Sequence, residues 1–164
     1  MNYTTCAEIE LKLVKWFNPR TNLIVPNVSW GFLKYECDLL IISKLGYLIE
    51  VEIKVSLSDL KRDLLKRHNH DDNRIKYLYF AIPKKLEKHI EHIPERAGIF
   101  VVDEEGWVHK IRKPIINNMA KPISIEDMYK IARLGTLRIW NLKKKILKSK
   151  LLLPKGRGGI GEIG

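Results

Sequence analysis

A chain of 164 residues with 45% hydrophobic and 30% charged side chains has the composition of one globular domain, long enough to bury a sizeable core. It holds no run of about 18 apolar residues, and the start MNYTTCAEIELKLVKW lacks a basic segment followed by an apolar one, so neither a membrane span nor a secretory leader is expected. Two cysteines, Cys6 and Cys37, cannot build a disulfide framework and suit a reducing cytoplasm, while a formal net charge of +11 favours a polyanionic partner, nucleic acid first.

Residues 4–17 read as a helix, because Cys6, Ile9, Leu13, Val14, Trp16 and Phe17 share one side of a helical wheel. NPRTN, 18–22, is a turn. Residues 23–29 fit a strand, with Pro26 putting it at an edge or a bulge. Residues 36–43 and 47–55 form a hairpin with Gly46 in its turn. Ser56 opens a helix over 57–68, and Asp59 follows three residues later in the manner of a capping box. NHDDN, 69–73, is a loop, and IKYLYFAI, 75–82, is a strand that stops at Pro83. A short helix over 84–92 precedes two strands, 98–102 and 106–111, around an acidic turn.

KPIINNMAKPIS is a connector with two prolines. Ser124 and Asp127 then open a last helix reaching about Lys150. Its apolar stripe is Met128, Ile131, Gly135, Ile139, Leu142 and Ile146, and Lys130, Arg133, Lys143, Lys144 and Lys148 lie opposite. Such a stripe is expected to pack on the core. The chain thus divides into a core (1–113), a connector (114–123), a basic C-terminal helix (124–150) and a tail (151–164) with no means of burying itself. The element order predicts an α/β (α+β) architecture: a mixed central sheet flanked by helices, with a C-terminal helical extension.

The hairpin carries the chemistry. Tyr47, Ile49, Val51, Ile53 and Val55 point one way, and Leu48, Glu50, Glu52 and Lys54 the other. Asp38 shares a face with Glu36, Leu40 and Ile42. A two-residue loop would set Asp38 against an apolar residue; a three-residue loop, Lys44-Leu45-Gly46, pairs Ser43 with Tyr47 and hence Asp38 with Glu52. Opposed Cβ atoms lie about 5 Å apart, so the two carboxylates can share one hard divalent cation, Mg²⁺ or Mn²⁺. Lys54, about 7 Å further along the strand, is in reach of a phosphate oxygen or a metal-bound water. Without a cation the acids should repel, and neutralising either should stabilise the fold.

Asp38, thirteen intervening residues and then Glu52-Ile53-Lys54, in a hairpin followed by a helix, resembles the PD-(D/E)xK nuclease superfamily. EIKVSLSDLKRDL, YLYFAIP and AGIFVVDEEGWVHKIRKP look more narrowly like MmcB-type DNA repair proteins and related phage and bacterial nucleases. The similarity covers roughly residues 34–114. It implies a restriction-endonuclease-like core, DNA as substrate, Asp38 and Glu52 as metal ligands, and Lys54 as the residue that assists the attacking water or steadies the transition state. Cys37 stands where the superfamily has Pro, and the following helix lacks the Gln-x-x-x-Tyr feature of the RecB-like branch. Many members add an acid from the first helix. Glu10 sits about 45° from the centre of the apolar face and Glu8 on the far side, so Glu10 is chosen.

Lys61, Arg62, Lys66 and Arg67 follow the hairpin and suit a phosphate backbone. Asp59 and Asp63 are expected to cap and pair locally. His68, His70, Asp71 and Asp72, and separately His89 and His92, lack a cysteine pair or a closed ligand set, so structural zinc is not expected. Trp30, Trp107 and Trp140 are expected in core or rim packing. The function expected is metal-dependent DNA hydrolysis in repair, recombination or phage DNA metabolism. The alternative is a catalytically silent DNA-binding accessory of the same fold. A homodimer that would cut both strands is left open.

Overall fold

The computed structural model describes residues 5–29, 32, 33, 35–63 and 72–152. Helix α1 (Cys6–Trp16) starts at a reciprocal capping box. The Thr5 hydroxyl accepts from the amide of Glu8 at 3.3 Å, and the Glu8 carboxylate accepts from the amide of Thr5 at 2.6 Å. Of the apolar side read from the sequence, Ile9 and Leu13 are fully buried, whereas Cys6 and Trp16 at the two ends are exposed.

Six strands make one sheet in chain order: β1 (Leu23–Val28), β2 (Cys37–Ile42), β3 (Leu48–Ile53), β4 (Ile75–Pro83), β5 (Gly98–Val102) and β6 (Val108–Arg112). β1, β2 and β3 form an antiparallel meander, β3, β4 and β5 run parallel, and β6 returns antiparallel. Pro26 therefore lies on an edge strand, where a missing N–H costs no ladder bond. The parallel pairs need crossovers. Helix α2 (Leu57–Asp63) lies in the first, and a 3₁₀ segment (Lys84–His92) in the second.

Both faces of the sheet are covered, which is why β4 and β5 read as nearly unbroken apolar runs. On one face α1 packs Ile9 and Leu13 against Leu39, Ile41, Val51, Ile53, Ala81 and Phe100. On the other, Leu60 of α2 and Leu86 of the 3₁₀ segment meet Leu78, Phe80, Ile82 and Ile99. That face continues under helix α3 (Ile125–Leu152), whose Ile131 packs with Val25, Leu40, Ile42 and Leu48. The chain is thus the mixed α/β architecture expected, with its C-terminal helix.

The stripe of α3 departs from expectation. Ile131 is buried, but Ile139, Leu142 and Ile146 are exposed. At 28 residues the helix is about 42 Å long, whereas a six-residue edge strand offers only about 20 Å of surface. The second half therefore runs past the sheet. Among the described residues, no helix is long and apolar enough to cross a membrane.

Candidate active site

The turn of the hairpin fixes its register. The amide of Ser43 donates to the carbonyl of Tyr47 at 3.0 Å, and that of Gly46 to the carbonyl of Ser43 at 2.8 Å. Gly46 has φ +81°, a left-handed backbone that favours glycine. This three-residue loop pairs Ile42 with Leu48, Leu40 with Glu50 and Leu39 with Val51. One further step brings Asp38 opposite Glu52, as read from the sequence. Asp38 Oδ2 accepts from the amide of Ile53 at 2.7 Å, which locks its carboxylate against β3.

Lys54 follows directly on β3, its amide donating to the carbonyl of Ala81 at 3.0 Å and so keeping it on the sheet. Its ammonium is 2.6 Å from Glu52 Oε2, 3.2 Å from Asp63 Oδ1 and 3.8 Å from Asp38 Oδ2. Burial works against the charge. The Glu52 carboxylate and its hydrogen bond, then Asp63 and Asp38, outweigh it and hold the ammonium above the ordinary lysine range. Lys54 thus faces carboxylates directly, where the sequence suggested a phosphate or a water. The expected repulsion between Asp38 and Glu52 is offset by a cation the protein supplies itself.

Asp63 was not chosen from the sequence as a site residue. Asp59 does stay local, accepting from Ser56 and pairing with Arg62. Asp63 does not: it is 5% exposed and turns towards Lys54. The signal was its spacing. It lies three residues after the buried Leu60, on the sheet-facing side of α2.

Glu10 is half-buried, and its carboxyl is raised above the usual range by burial and then by the Asp38 carboxylate. The Cys6 thiol is raised by burial and by Asp38 and Glu10. The first turns of α1 therefore stand in the field of the hairpin acids, and Glu8, the rejected alternative, is occupied in the capping box. Glu50 is fully buried and accepts from the Tyr35 hydroxyl at 2.6 Å. This bond ties the segment before β2 to β3, and no sequence signal marked it.

Lys61 and Arg62 are exposed on α2, while Lys66 and Arg67 lie outside the described residues, as do His68, His70, Asp71 and Trp30. Asp72 is buried and ion-paired with Arg74, which also donates to the carbonyl of Phe32, an arrangement that braces the fold. Trp107 and Trp140 are exposed, not packed in the core.

A scan against protein-family models finds no match, and a search of curated proteins finds none. Among solved structures, the chain is similar to the SPO1766 protein of unknown function from Silicibacter pomeroyi. The TM-score is 0.63 at 10% sequence identity, covering 99% of this chain and 100% of that one. The likeness is one of fold.

Proposed function

We propose that this chain is a metal-dependent deoxyribonuclease of the PD-(D/E)xK kind, hydrolysing DNA phosphodiester bonds in repair, recombination or phage DNA metabolism. The observation that carries the reading is the convergence of the Asp38, Glu52 and Asp63 carboxylates on one point at the end of β3. The donor set is all carboxylate oxygen, which fits Mg²⁺ or Mn²⁺ and not a thiolate-seeking ion. Asp38 and Glu52 would hold the metal, and Glu10, whose carboxyl feels the Asp38 charge, would add a further oxygen. A bound ion would polarise the phosphate and lower the pKa of its water. Asp38 is the most open of the three acids, with its side chain 33% exposed, so it marks the side from which DNA would approach. Lys54 would leave the carboxylates and steady the charge that develops on the phosphate. Lys61 and Arg62 would meet the DNA backbone.

The same cluster, partly neutralised by Lys54, also suits the second reading, a catalytically silent DNA-binding accessory. Purified protein is incubated with supercoiled, linear, single-stranded, flapped and branched DNA in Mg²⁺, Mn²⁺ or EDTA. Cleavage of at least one substrate with metal and none with EDTA is expected. Binding without cleavage of any substrate selects the accessory.

A further inference from the structure

The segment KHIEHIP, residues 88–94, lies away from the hairpin and ends the 3₁₀ segment. A 3₁₀ helix has three residues per turn, so side chains at i and i+3 eclipse. His89 and His92 are three residues apart, but the segment kinks at His89, so their approach is set by that kink and not by a regular 3₁₀ turn. His89 itself has non-helical dihedrals (φ −120°, ψ 22°), and the two imidazoles lie 6.3 Å apart, centre to centre, at 18° to one another. Glu91 reaches between them: its Oε1 is 3.6 Å from His89 Nδ1 and 3.5 Å from His92 Nε2.

These distances match a particular chemistry. Zinc-class ions bind imidazole nitrogen and carboxylate oxygen at about 2.0–2.2 Å, so neighbouring ligands of a tetrahedral site lie roughly 3.4 Å apart. Two edges of the His89–Glu91–His92 triangle already have that length. All three donor atoms lie within 4.8 Å of one another, so modest side-chain rotation closes the third. The base is firm. Leu86 and Ile93 are buried, and the Arg112 guanidinium donates to the carbonyls of Pro94 at 2.7 Å and Ala97 at 2.7 Å. Each imidazole is about three-quarters shielded (25% and 26% exposed), while Glu91 at 59% leaves one side open to water.

We infer that His89, Glu91 and His92 form a second metal site, which takes a borderline divalent ion of the zinc or nickel kind through two imidazole nitrogens and one carboxylate oxygen, with a position left for water. It differs in kind from the all-oxygen hairpin site, since imidazole favours zinc and its neighbours over magnesium. The histidines set aside in the sequence for want of a cysteine pair find their third ligand in Glu91.

The test uses the full chain carrying Asp38→Asn, which weakens the hairpin site, so the outcome does not depend on the nuclease reading. Chelator-treated protein is titrated with Co²⁺ and followed by visible absorption, with Zn²⁺ and Mg²⁺ as competitors. One equivalent of Co²⁺ with the intense band of a four-coordinate ion is expected, displaced by Zn²⁺ but not by millimolar Mg²⁺. His92→Ala or His89→Ala should weaken binding at least tenfold at unchanged circular dichroism, and Glu91→Gln by less. In the unmutated chain, Zn²⁺ should protect both histidines from carbethoxylation. Unchanged Co²⁺ uptake in the histidine variants, a weak six-coordinate spectrum, or no protection by Zn²⁺ would overturn the inference.

Discussion

The Lys54 ammonium and Glu52 Oε2 lie 2.6 Å apart, two residues from each other at the end of β3, with side chains only 9% and 2% exposed. An ion pair so far from water is held by its partners, and removing one side leaves the other charge uncompensated. Lys54→Met is therefore expected to destabilise the protein by about 3–5 kcal/mol, read from urea unfolding midpoints. A loss under about 1 kcal/mol would mean the acids do not depend on Lys54.

The same pair sets a pH dependence. The ammonium pKa is raised in the folded state above its ordinary 10.5. Its stabilising contribution is therefore complete below about pH 10.5 and is lost as pH rises through the folded value. The stability difference between the unmutated protein and Lys54→Met should be constant from pH 7 to 10 and shrink only in stronger alkali. A difference that disappears at neutral pH would contradict the assignment.

Glu10 runs the other way. Its carboxyl is raised by burial and by Asp38, so ionisation costs the fold stability above the folded pKa and nothing in acid, where both states are protonated. Glu10→Gln should stabilise at pH 7 by about 0.5 kcal/mol, the scale of a partly screened charge pair, with the gain gone near pH 3. Thermal melts at the two pH values decide this, and a loss of stability at pH 7 would show that Glu10 is a needed partner.

Two glycines test the packing. A Cβ at Gly98 would lie 2.5 Å from the Tyr79 ring and 2.9 Å from Pro114 Cδ, and that ring is stacked on Phe100 at 4.6 Å. A Cβ at Gly135 meets Val25 at an ordinary 3.4 Å. Gly98→Ala should cost about 1–3 kcal/mol, whereas Gly135→Ala should be neutral or stabilising, since alanine is the better helix former. Equal melting points for the two variants would contradict the contacts at β5.

DNA binding should fall steeply with salt, with a log–log slope of about −0.9 for each phosphate neutralised on duplex DNA. Replacing Lys61, Arg62 and Lys66 with alanine together should flatten the slope by about 2–3 units. An unchanged slope would move the DNA path away from α2.

What the sequence disclosed follows from the range of each interaction. The hairpin register was legible because strict alternation, one glycine and a one-residue choice of loop length leave a single consistent pairing. Glu10 was separable from Glu8 by helical angle alone. Asp63 and Tyr35 were not found because their partners, Lys54 and Glu50, are nine and fifteen residues away; the spacing from Leu60 puts Asp63 on the inner side of α2 but does not name its partner. The α3 stripe misled because periodicity marks which face is apolar, not how far the sheet beneath it extends.

Hydrolysis at the hairpin is measured as DNA cleavage with Mg²⁺ or Mn²⁺ by the unmutated chain and by Asp38→Asn, Glu52→Gln, Lys54→Ala and the Asp38→Asn/Glu52→Gln double variant. Groups that act as one unit are non-additive. Each single change should lower the rate about 100-fold or more, with the double variant barely worse than either parent and with folded spectra for the Asp38→Asn and Glu52→Gln proteins. Cleavage at the unmutated rate by all three single variants would contradict the account.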